Sequence, residues 1–575
     1  MIVGATAPFD SASALDICSR MSQALRPWCG GRSFVRESGI GAFGAISGVS
    51  SDEPGGWVAW SADEQSFLVA TGRIDNRDEL ERELSAGPDA PGGDLLLKAW
   101  SRWHEDILDH LTGDCAFAVF HPGSGETWLG RTPLAARSLF FHRKGHAVAF
   151  ASHPAALFAV PGVTKEIDWE HAALRAAQYS LLGNSTMFAG IERVRPGEIL
   201  RICDGAARSV AFWRPRRVTV PYRSIQEAGE AVRSALDMAV ADHLAGAEEH
   251  AGVHLSSGRD SSAVAASAAV LLGGKGEQLH AYTGAPRAGF DDPSGPSWQG
   301  DESETAAATA ARYADVVHRI CRGPQGIALK QLRTLHRYHH QPITNFSNTH
   351  WWLALNDMAQ ADGVRVMLTG AVGNFTISAG PLDHLSDVVQ EEGWSAALAA
   401  ARMTGNPLGS ARALIGAHLP ASLDRAVLRM TGRLHREQVT VPILREPYRR
   451  VAEQRLWQDF RDVRPSPSGF TLREERLLSD DASGPFLSPI WGFEQRAPTA
   501  DRRLIECCFS MPAKYLVPRA DDPRPLYRAA FGDRLPQDVV LGRRRGLQGA
   551  DWFEQFPQDD VRSAFGRLLA NPLNR

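Results

Sequence analysis

Asp260 is the one acid in a run of short polar residues, Ser256, Ser257, Gly258, Ser261 and Ser262, inside the stretch HLSSGRDSSAVAASAA (His254 to Ala269). Apolar residues precede the run and small ones follow it, which places a turn between a strand and a helix. Such a turn exposes backbone N–H groups that the helix cannot use, and anions settle there. Hydroxyls and a glycine let a phosphate approach the backbone closely and collect further donors. An acid beside that anion calls for a shared cation, and magnesium takes one or two carboxylates together with phosphate oxygens. The run is not GxxxxGK followed by Ser or Thr, so the Walker loop is excluded. A serine-rich helix cap without a ligand is the plain alternative.

The surrounding elements fit a phosphate loop. From Ser224 the chain opens a helix with S-I-Q-E as a capping box through Glu227, and Val232, Leu236, Val240 and Leu244 recur at helical spacing. Strand and helix then alternate through GVHLSS, SSAVAASAAVLL, LHAYTG, ETAAATAARYA and VVHRI, a pattern that predicts a parallel sheet with crossover helices. GVRVMLTGAVGN (363 to 374) supplies another strand and a glycine turn, and the remainder reads as mostly helical. Before residue 210 the short apolar runs WVAWS, SFLVATG, CAFAVF, TWLGR, SLFFH and AVAFAS predict antiparallel strands, with helices at DNRDELERELS and DLLLKAWSRWHEDILDHL. WRPRRVTVPYRS joins the two parts, its arginines read as a solvated face. The expected organisation is a first domain over 1–210, a linker over 211–223 and a second domain over 224–575, α+β followed by α/β.

Composition narrows the function classes. The chain has 575 residues, 43% hydrophobic and 22% charged, with a net charge of −4, so no global field draws in nucleic acid or anionic lipid. Seven scattered cysteines form no CxxC pair, which fits reduced thiols in a cytoplasmic protein. No signal peptide and no 18-residue apolar stretch is found, so no membrane span is expected.

The polar turn resembles SGGxDSS, the pyrophosphate loop of the asparagine synthetase and ATP-pyrophosphatase family, with Ser257 at the second position's glycine. Other segments follow in the same family's order. TGRIDNRDELERELS is similar to NGEIYN and its helix, LTGDCAFAVF to GxFAFxxxD, GRTPLAARSLFF to RDxxGxxPLYY, AFASHPAALF to FASExxAL and VRPGEIL to PPGxxL. LTGAVGNFTIS looks like LSGxGxDE, FEQRAPTADRRLIECCFSMP like ExRxPFxDxxLxxFxxxLP, and PLYRAAFGDRLPQDVVLGRRRG like the closing YxLRxAxxxxLPxxxxxRxK. The resemblance implies an N-terminal αββα class II glutaminase-like (Ntn-type) domain and an ATP-pyrophosphatase-like parallel α/β domain with a helical C-terminal part.

It also implies a site. ATP would be held by Leu255, Ser256, Ser257, Gly258, Asp260, Ser261, Ser262, Thr283, Gly370 and Asn374, with magnesium on Asp260. Asp260, Glu302 and Arg545 would carry the chemistry, Arg545 standing where the family has a lysine for pyrophosphate; Arg543 and Arg544 are alternative donors, and a solvated basic loop is the bland reading. Departures matter as much. Ile2 stands where the glutaminases carry a nucleophilic cysteine, Thr71 and Arg73 replace the Asn and Glu of NGE, and Asp94 is left as a lone acid, so no ammonia production is expected. Asn374 and Phe375 replace the acids of GxDE, and Ala371 takes the place of an acidic residue or tyrosine.

A carboxylate becomes an electrophile once ATP turns its oxygen into AMP. With no ammonia supply, the attacking amine must come on another molecule or from the same one. A peptide α-amine, with a pKa of about 7.7 to 8.0, is partly neutral near pH 7.5 and asks little of a base. The pattern most resembles the macrolactam synthetases of lasso peptide biosynthesis, on SxGRDSS, GDESETAA, the acid-free TGxxGN and RRGLQGADW. That implies adenylation of an Asp or Glu side chain of a precursor peptide and closure by its N-terminal amine, with a leader peptidase and a leader-binding protein as partners. Other ligases of the family, of the asparagine or β-lactam type, and a non-catalytic scaffold are the alternatives.

LHRYHHQPITNFSNTHWW holds four histidines, with His336 and His340 on one helical face, but no Cys, Asp or Glu completes a metal set. It reads better as a polar, aromatic wall for the peptide, with Asn345, Asn348 and Trp351 as lining. Asp301 and Glu302 could hold magnesium, act as base, bind the amine, or cap the helix that follows.

Overall fold

The computed structural model describes all residues except 7–8, 10–11, 30–32, 47–56, 63–64, 178–182, 219, 294, 323–334, 336–337, 339–345, 421–422, 424–443, 463–467, 480–487, 520–521, 552–558, 560–561, 564–565, 568–569 and 571–575. Two six-stranded sheets make up the N-terminal part. One runs in the order Glu192–Arg193, Phe140–Lys144, Ala147–Ala151, Ile2–Thr6, Gly41–Ile46, Ser33–Ser38, and the other Ala206–Phe212, Glu198–Cys203, Glu126–Arg131, Gly113–His121, Phe67–Ile74, Trp57–Trp60. Every pairing in both sheets is antiparallel. Alternation of side chains along each strand sends one set into the space between the sheets, where Phe43, Phe67, Phe120, Phe141 and Phe150 pack, and the other set outward. Helix Ala14–Ala24 covers the outer face of the first sheet and Gly92–Trp103 that of the second, completing four layers in the order αββα. The predicted second helix stops at Trp103 because His104 takes a left-handed φ of 46°, and the chain continues as a tighter 3₁₀ turn to Asp109.

The second part begins with α1 (Ile225–Leu244), capped by Ser224 Oγ on the Glu227 N–H at 3.1 Å, while the Glu227 carboxylate accepts from Arg223 N–H at 2.7 Å. Val232, Leu236, Val240 and Leu244 form its buried stripe. Each contributes about 1.5–3 kcal/mol of apolar burial. The sheet is fully parallel, built of β1 (Ala251–His254), β2 (Leu279–Ala285), β3 (Val316–Arg322), β4 (Val366–Leu368) and β5 (Glu494–Arg496), in the order β3-β2-β1-β4-β5. The order reverses around β1, so the loops after β1 and β4 face one another across the crevice where ligands of open α/β sheets bind. Helix α2 (Arg259–Gly273) follows β1 and α3 (Ser303–Ala310) follows β2. β5 departs from the helical reading of this region: its three polar residues, Glu494, Gln495 and Arg496, carry no strand signal, and pairing with β4 decides their conformation.

The segment between the two parts has no regular structure, and its arginines stitch the parts together: Arg214 pairs with Glu474, Arg216 with Asp109 and Arg217 with Glu391. The pair of Arg216 is largely exposed and worth about 0–1 kcal/mol, whereas the Glu474 partner of Arg214 is buried. No helix among the described residues is long and apolar enough to cross a membrane.

Candidate active site

Asp260 occupies the first turn of α2, directly after Gly258 at the N-cap. Glycine has no side chain with which to cap, so the first-turn amides of Arg259, Asp260 and Ser261 are left for an outside acceptor. The serines fold the loop upon itself: Ser256 N–H bonds to Ser261 Oγ at 3.2 Å, the two hydroxyls lie 2.8 Å apart, and Gly258 N–H bonds to Ser256 Oγ at 3.0 Å. Ser262 is buried and its hydroxyl donates to Ser256 O at 3.3 Å. These bonds hold the loop's shape and leave the first-turn amides of α2 without a side-chain cap.

The glycine loop after β4 lies against this turn. A Cβ at Gly370 would come within 2.7 Å of Ser261 N, and one at Gly373 would run into the Asp260 carboxylate, so only glycine allows the approach. Between them Val372 sits at φ 58°, a left-handed conformation that costs a β-branched residue about 1–3 kcal/mol. Its side chain is buried in the core cluster that also holds Leu134 and Trp213 of the N-terminal part and Ile505 and Phe509, which keeps it there. Asn374 follows on the same loop, with an exposed side chain.

Asp260 is partly buried against this loop, and burial pushes its carboxyl up to about 6, against the opposing pull of a Ser378 hydrogen bond and of Arg524 and Arg259. Its Oδ1 has no hydrogen-bond partner. An orphaned carboxylate oxygen beside unsatisfied amides is the donor set that a magnesium–phosphate ligand would complete, with Asp260 as the one carboxylate. The folded-state carboxyl titrates above its unfolded value of 3.8, so it destabilises the fold progressively as pH rises from about 4 to about 6, by up to about 3 kcal/mol. A metal-bound nucleotide needs the ionised form. Its affinity is therefore expected to fall below about pH 6, and titration of magnesium with a non-hydrolysable ATP analogue between pH 5 and 8 should show a slope that Asp260→Asn lacks.

Three guanidinium groups gather here. Arg524 donates to the backbone carbonyls of Ser378 and Ala379, and burial with Arg259 and Arg545 nearby lowers it to about 10 while Asp260 raises it. Arg259 reaches the carbonyls of Val540 and Gly542, and Tyr527 Oη donates to Arg259 O at 2.7 Å. Arg545 lies on a short strand, Arg545–Gly546, paired in parallel with Trp298–Gln299, and its side chain is exposed. Sequence reasoning found Arg545 and missed Arg524, Arg259 and Ser378. Arg524 lies far along the chain in DDPRPLYRAAF, where no local pattern marks it.

Glu302 is 2% exposed and turns back to the loop, its Oε2 accepting from Ser257 N–H at 2.9 Å and from Ser257 Oγ–H at 2.6 Å. Its Oε1 is buried without a partner, and burial raises its carboxyl. Glu302 holds the N-cap position of α3 without a side-chain cap bond, and Asp301 before it accepts from Ser303 N–H through Oδ1 at 2.9 Å. A Cβ at Gly546 would strike the Glu302 carboxylate, so the Arg545–Gly546 strand closes tightly over it.

Three sequence expectations need correction. Leu255 is buried with its N–H bonded to Tyr282 O, and the Thr283 hydroxyl is buried and donates to Leu255 O at 2.8 Å; both form the floor of the crevice and offer no polar group to a nucleotide. Trp351 is 6% exposed, its ring packed on Gly284 and its Nε1 donating to Asp551 Oδ1 at 3.3 Å, so it braces β2 and does not line a peptide wall. Asn348 donates to Gln548 Oε1 at 3.0 Å beside it. Asn345, His336 and His340 lie outside the described residues.

In the N-terminal part, Arg73 is paired with Asp75, and Ile2 is buried in its strand with its N–H donated to Ser152 Oγ at 2.8 Å. Among the described residues one group has the make-up of a metal set, Asp75, His243 and Asp501, but Arg73 and Arg503 bind its two carboxylates and His243 Nδ1 bonds to Ala239 O.

A four-layer αββα domain joined to a parallel α/β domain with a phosphate-type loop defines a glutamine amidotransferase domain followed by a synthetase domain. The asparagine synthase family model matches residues 231–572 and the glutamine amidotransferase domain model residues 52–213. The chain belongs to the asparagine synthase family. The glutamine-hydrolyzing asparagine synthetase 3 of Bacillus subtilis (strain 168) is 26% identical over 228 residues, which span 38% of this chain and 36% of that protein. The chain thus matches about a third of the length of that relative. Among solved structures, the B. subtilis glutamine phosphoribosylpyrophosphate amidotransferase complexed with ADP and GMP is similar at TM-score 0.28 and 17% identity, over 48% of this chain and 64% of that one. The allosteric regulatory enzyme of purine biosynthesis is similar at TM-score 0.28 and 14% identity, over 56% and 81%.

Proposed function

We propose that the protein is an ATP-dependent ligase that closes a macrolactam in a peptide, joining an Asp or Glu side-chain carboxylate to the peptide's own N-terminal amine through an acyl-adenylate. The observation that carries the ligase reading is the convergence of Arg259, Arg524 and Arg545 with one partly buried carboxylate, Asp260, at an uncapped helix N-terminus. The first-turn amides of α2 orient the β- and γ-phosphates. Magnesium held by Asp260 would supply charge neutralisation for them when bound. Arg545 takes the charge that grows on pyrophosphate as it leaves, which lowers the barrier to adenylation. Glu302 fixes the loop through Ser257, and the peptide's amine then displaces AMP.

The peptide specificity rests on sequence. Ala371, Asn374 and Phe375 remove the acids that a small-substrate ligase of this family carries, and Arg73 occupies a glutamate position of the glutaminase, which disfavours a glutamine-fed reaction. The precursor peptide, a leader peptidase and a leader-binding protein are the partners this reading calls for, in the cytoplasm. Holding the peptide with its amine against the activated acid supplies the effective molarity that ring closure needs.

The test is to incubate the purified protein with ATP, magnesium, the candidate precursor peptide and the peptidase, and to follow mass and nucleotide together. Loss of one water from the core peptide, matched by AMP, is the expected result. Asparagine formed from aspartate and ammonia, or an unchanged peptide with no AMP, would refute the macrolactam reading.

A further inference from the structure

The glycine loop after β4 is held from two sides, and the N-terminal domain holds the side away from the nucleotide crevice. Thr369 N–H bonds to Arg496 O at 2.9 Å, and Thr499 Oγ1 donates to Ala371 O, so β5 and the residues after it fix the loop's backbone. Within β5, Arg496 donates to Glu494 Oε2 through Nε at 3.0 Å and through Nη2 at 2.9 Å, and its Nη1 donates to His243 O at 2.6 Å. The other oxygen of Glu494 accepts from Arg137 Nη2, which comes from the N-terminal domain, and Arg137 N–H is itself fixed by Asp114 Oδ1 at 2.9 Å. These charges hold Glu494 ionised, well below the usual carboxylate range. A cavity of about 180 Å³ adjoins them, lined by Arg73, Asp75, Arg137, Ala371, Glu494 and Arg496 among others. Close packing is therefore missing behind Ala371, and the loop's placement depends on the ionic tie and on Val372, whose strained backbone is pinned in the core cluster shared with Leu134.

We propose that the N-terminal domain serves the ligase as a clamp on the glycine loop, with Arg137 as the positioning residue, acting through Glu494 and Arg496 to hold Gly370 and Gly373 against the Asp260 turn. Arg137 touches no substrate. It keeps the backbone of residues 369–373 at the distance at which the first-turn amides of α2 and the Asp260 carboxylate are shaped for a triphosphate. This rests on the nucleotide reading of that crevice, and it gives the domain a role that does not require glutamine chemistry.

The test uses the full chain and a non-hydrolysable ATP analogue with magnesium, with the dissociation constant measured by calorimetry and folding followed by thermal melting. Arg137→Ala is expected to weaken the analogue about tenfold or more, and Arg137→Lys, which keeps the charge, to recover most of the loss. Arg214→Ala, which removes the tie to the buried Glu474 carboxylate near the same domain junction, controls for general loosening and is expected to leave the constant unchanged. Binding by the unaltered protein with an equal constant in Arg137→Ala would overturn the clamp alone. An equal loss in Arg214→Ala would overturn it too, because any weakening of the junction would then suffice. Should Arg137→Ala fail to fold, Glu494→Gln, which keeps the shape and removes the charge, must show the same weakening for the clamp to stand. No binding by the unaltered protein would overturn both the clamp and the nucleotide reading.

Discussion

Asp260→Asn is expected to lower AMP formation by about a thousandfold or more while raising thermal stability. The two effects have one cause. The native carboxyl is partly buried against the glycine loop, its Oδ1 without a partner, and burial lifts it to about 6. At neutral pH the fold holds an ionised group in a place that disfavours ionisation, at a cost of up to about 3 kcal/mol. Asparagine has the same shape and can accept the Ser378 hydrogen bond, but it bears no charge to desolvate and none to neutralise a metal. The melting temperature should therefore rise and product should vanish in the same sample. A variant that melts lower would indicate that Asp260 is a structural residue, and one that retains AMP formation would remove it from the mechanism.

Arg545→Ala is expected to reduce kcat about a hundredfold or more, with a smaller change in the KM for ATP. Charge on the leaving pyrophosphate develops only in the transition state, so a group aimed at it affects the rate more than ground-state binding. Neither neighbouring arginine is free to substitute: Arg524 is committed to Ser378 and Ala379 carbonyls and Arg259 to those of Val540 and Gly542. Arg545 alone of the three is exposed and without a hydrogen bond from its side chain among the described contacts. Arg545→Lys should keep a substantial part of the rate, because pyrophosphate accepts a point charge as well as a fork. Steady-state kinetics of pyrophosphate release separate the two constants, and a loss confined to KM would reassign Arg545 to ground-state binding.

What the sequence disclosed follows from where the information lies. The strands of the N-terminal sheets could be read because sheets covered on both faces leave short, nearly continuous apolar runs bounded by turn residues, and α1 because its apolar stripe recurs at helical spacing. The Asp260 turn could be read because its ligand-facing groups are backbone amides and its neighbours are consecutive. Glu302 was legible as an acid at a helix start, yet its reach back to Ser257 depends on the crossing of two loops. Trp351 looked like a wall of the site, and only the absence of a Cβ at Gly284 shows why it sinks onto β2. Arg524 and β5 were invisible for the same reason: Glu494, Arg496 and Arg524 acquire meaning only through partners distant in sequence.

The central claim is that a carboxylate of the peptide is activated through its own oxygen. Acidic side chains of a synthetic precursor labelled with ¹⁸O, incubated with the protein, ATP, magnesium and the peptidase, test it directly by mass spectrometry of the nucleotide. One labelled oxygen is expected in AMP for each ring closed. Unlabelled AMP, or ADP with labelled phosphate, would contradict adenylation of the acid.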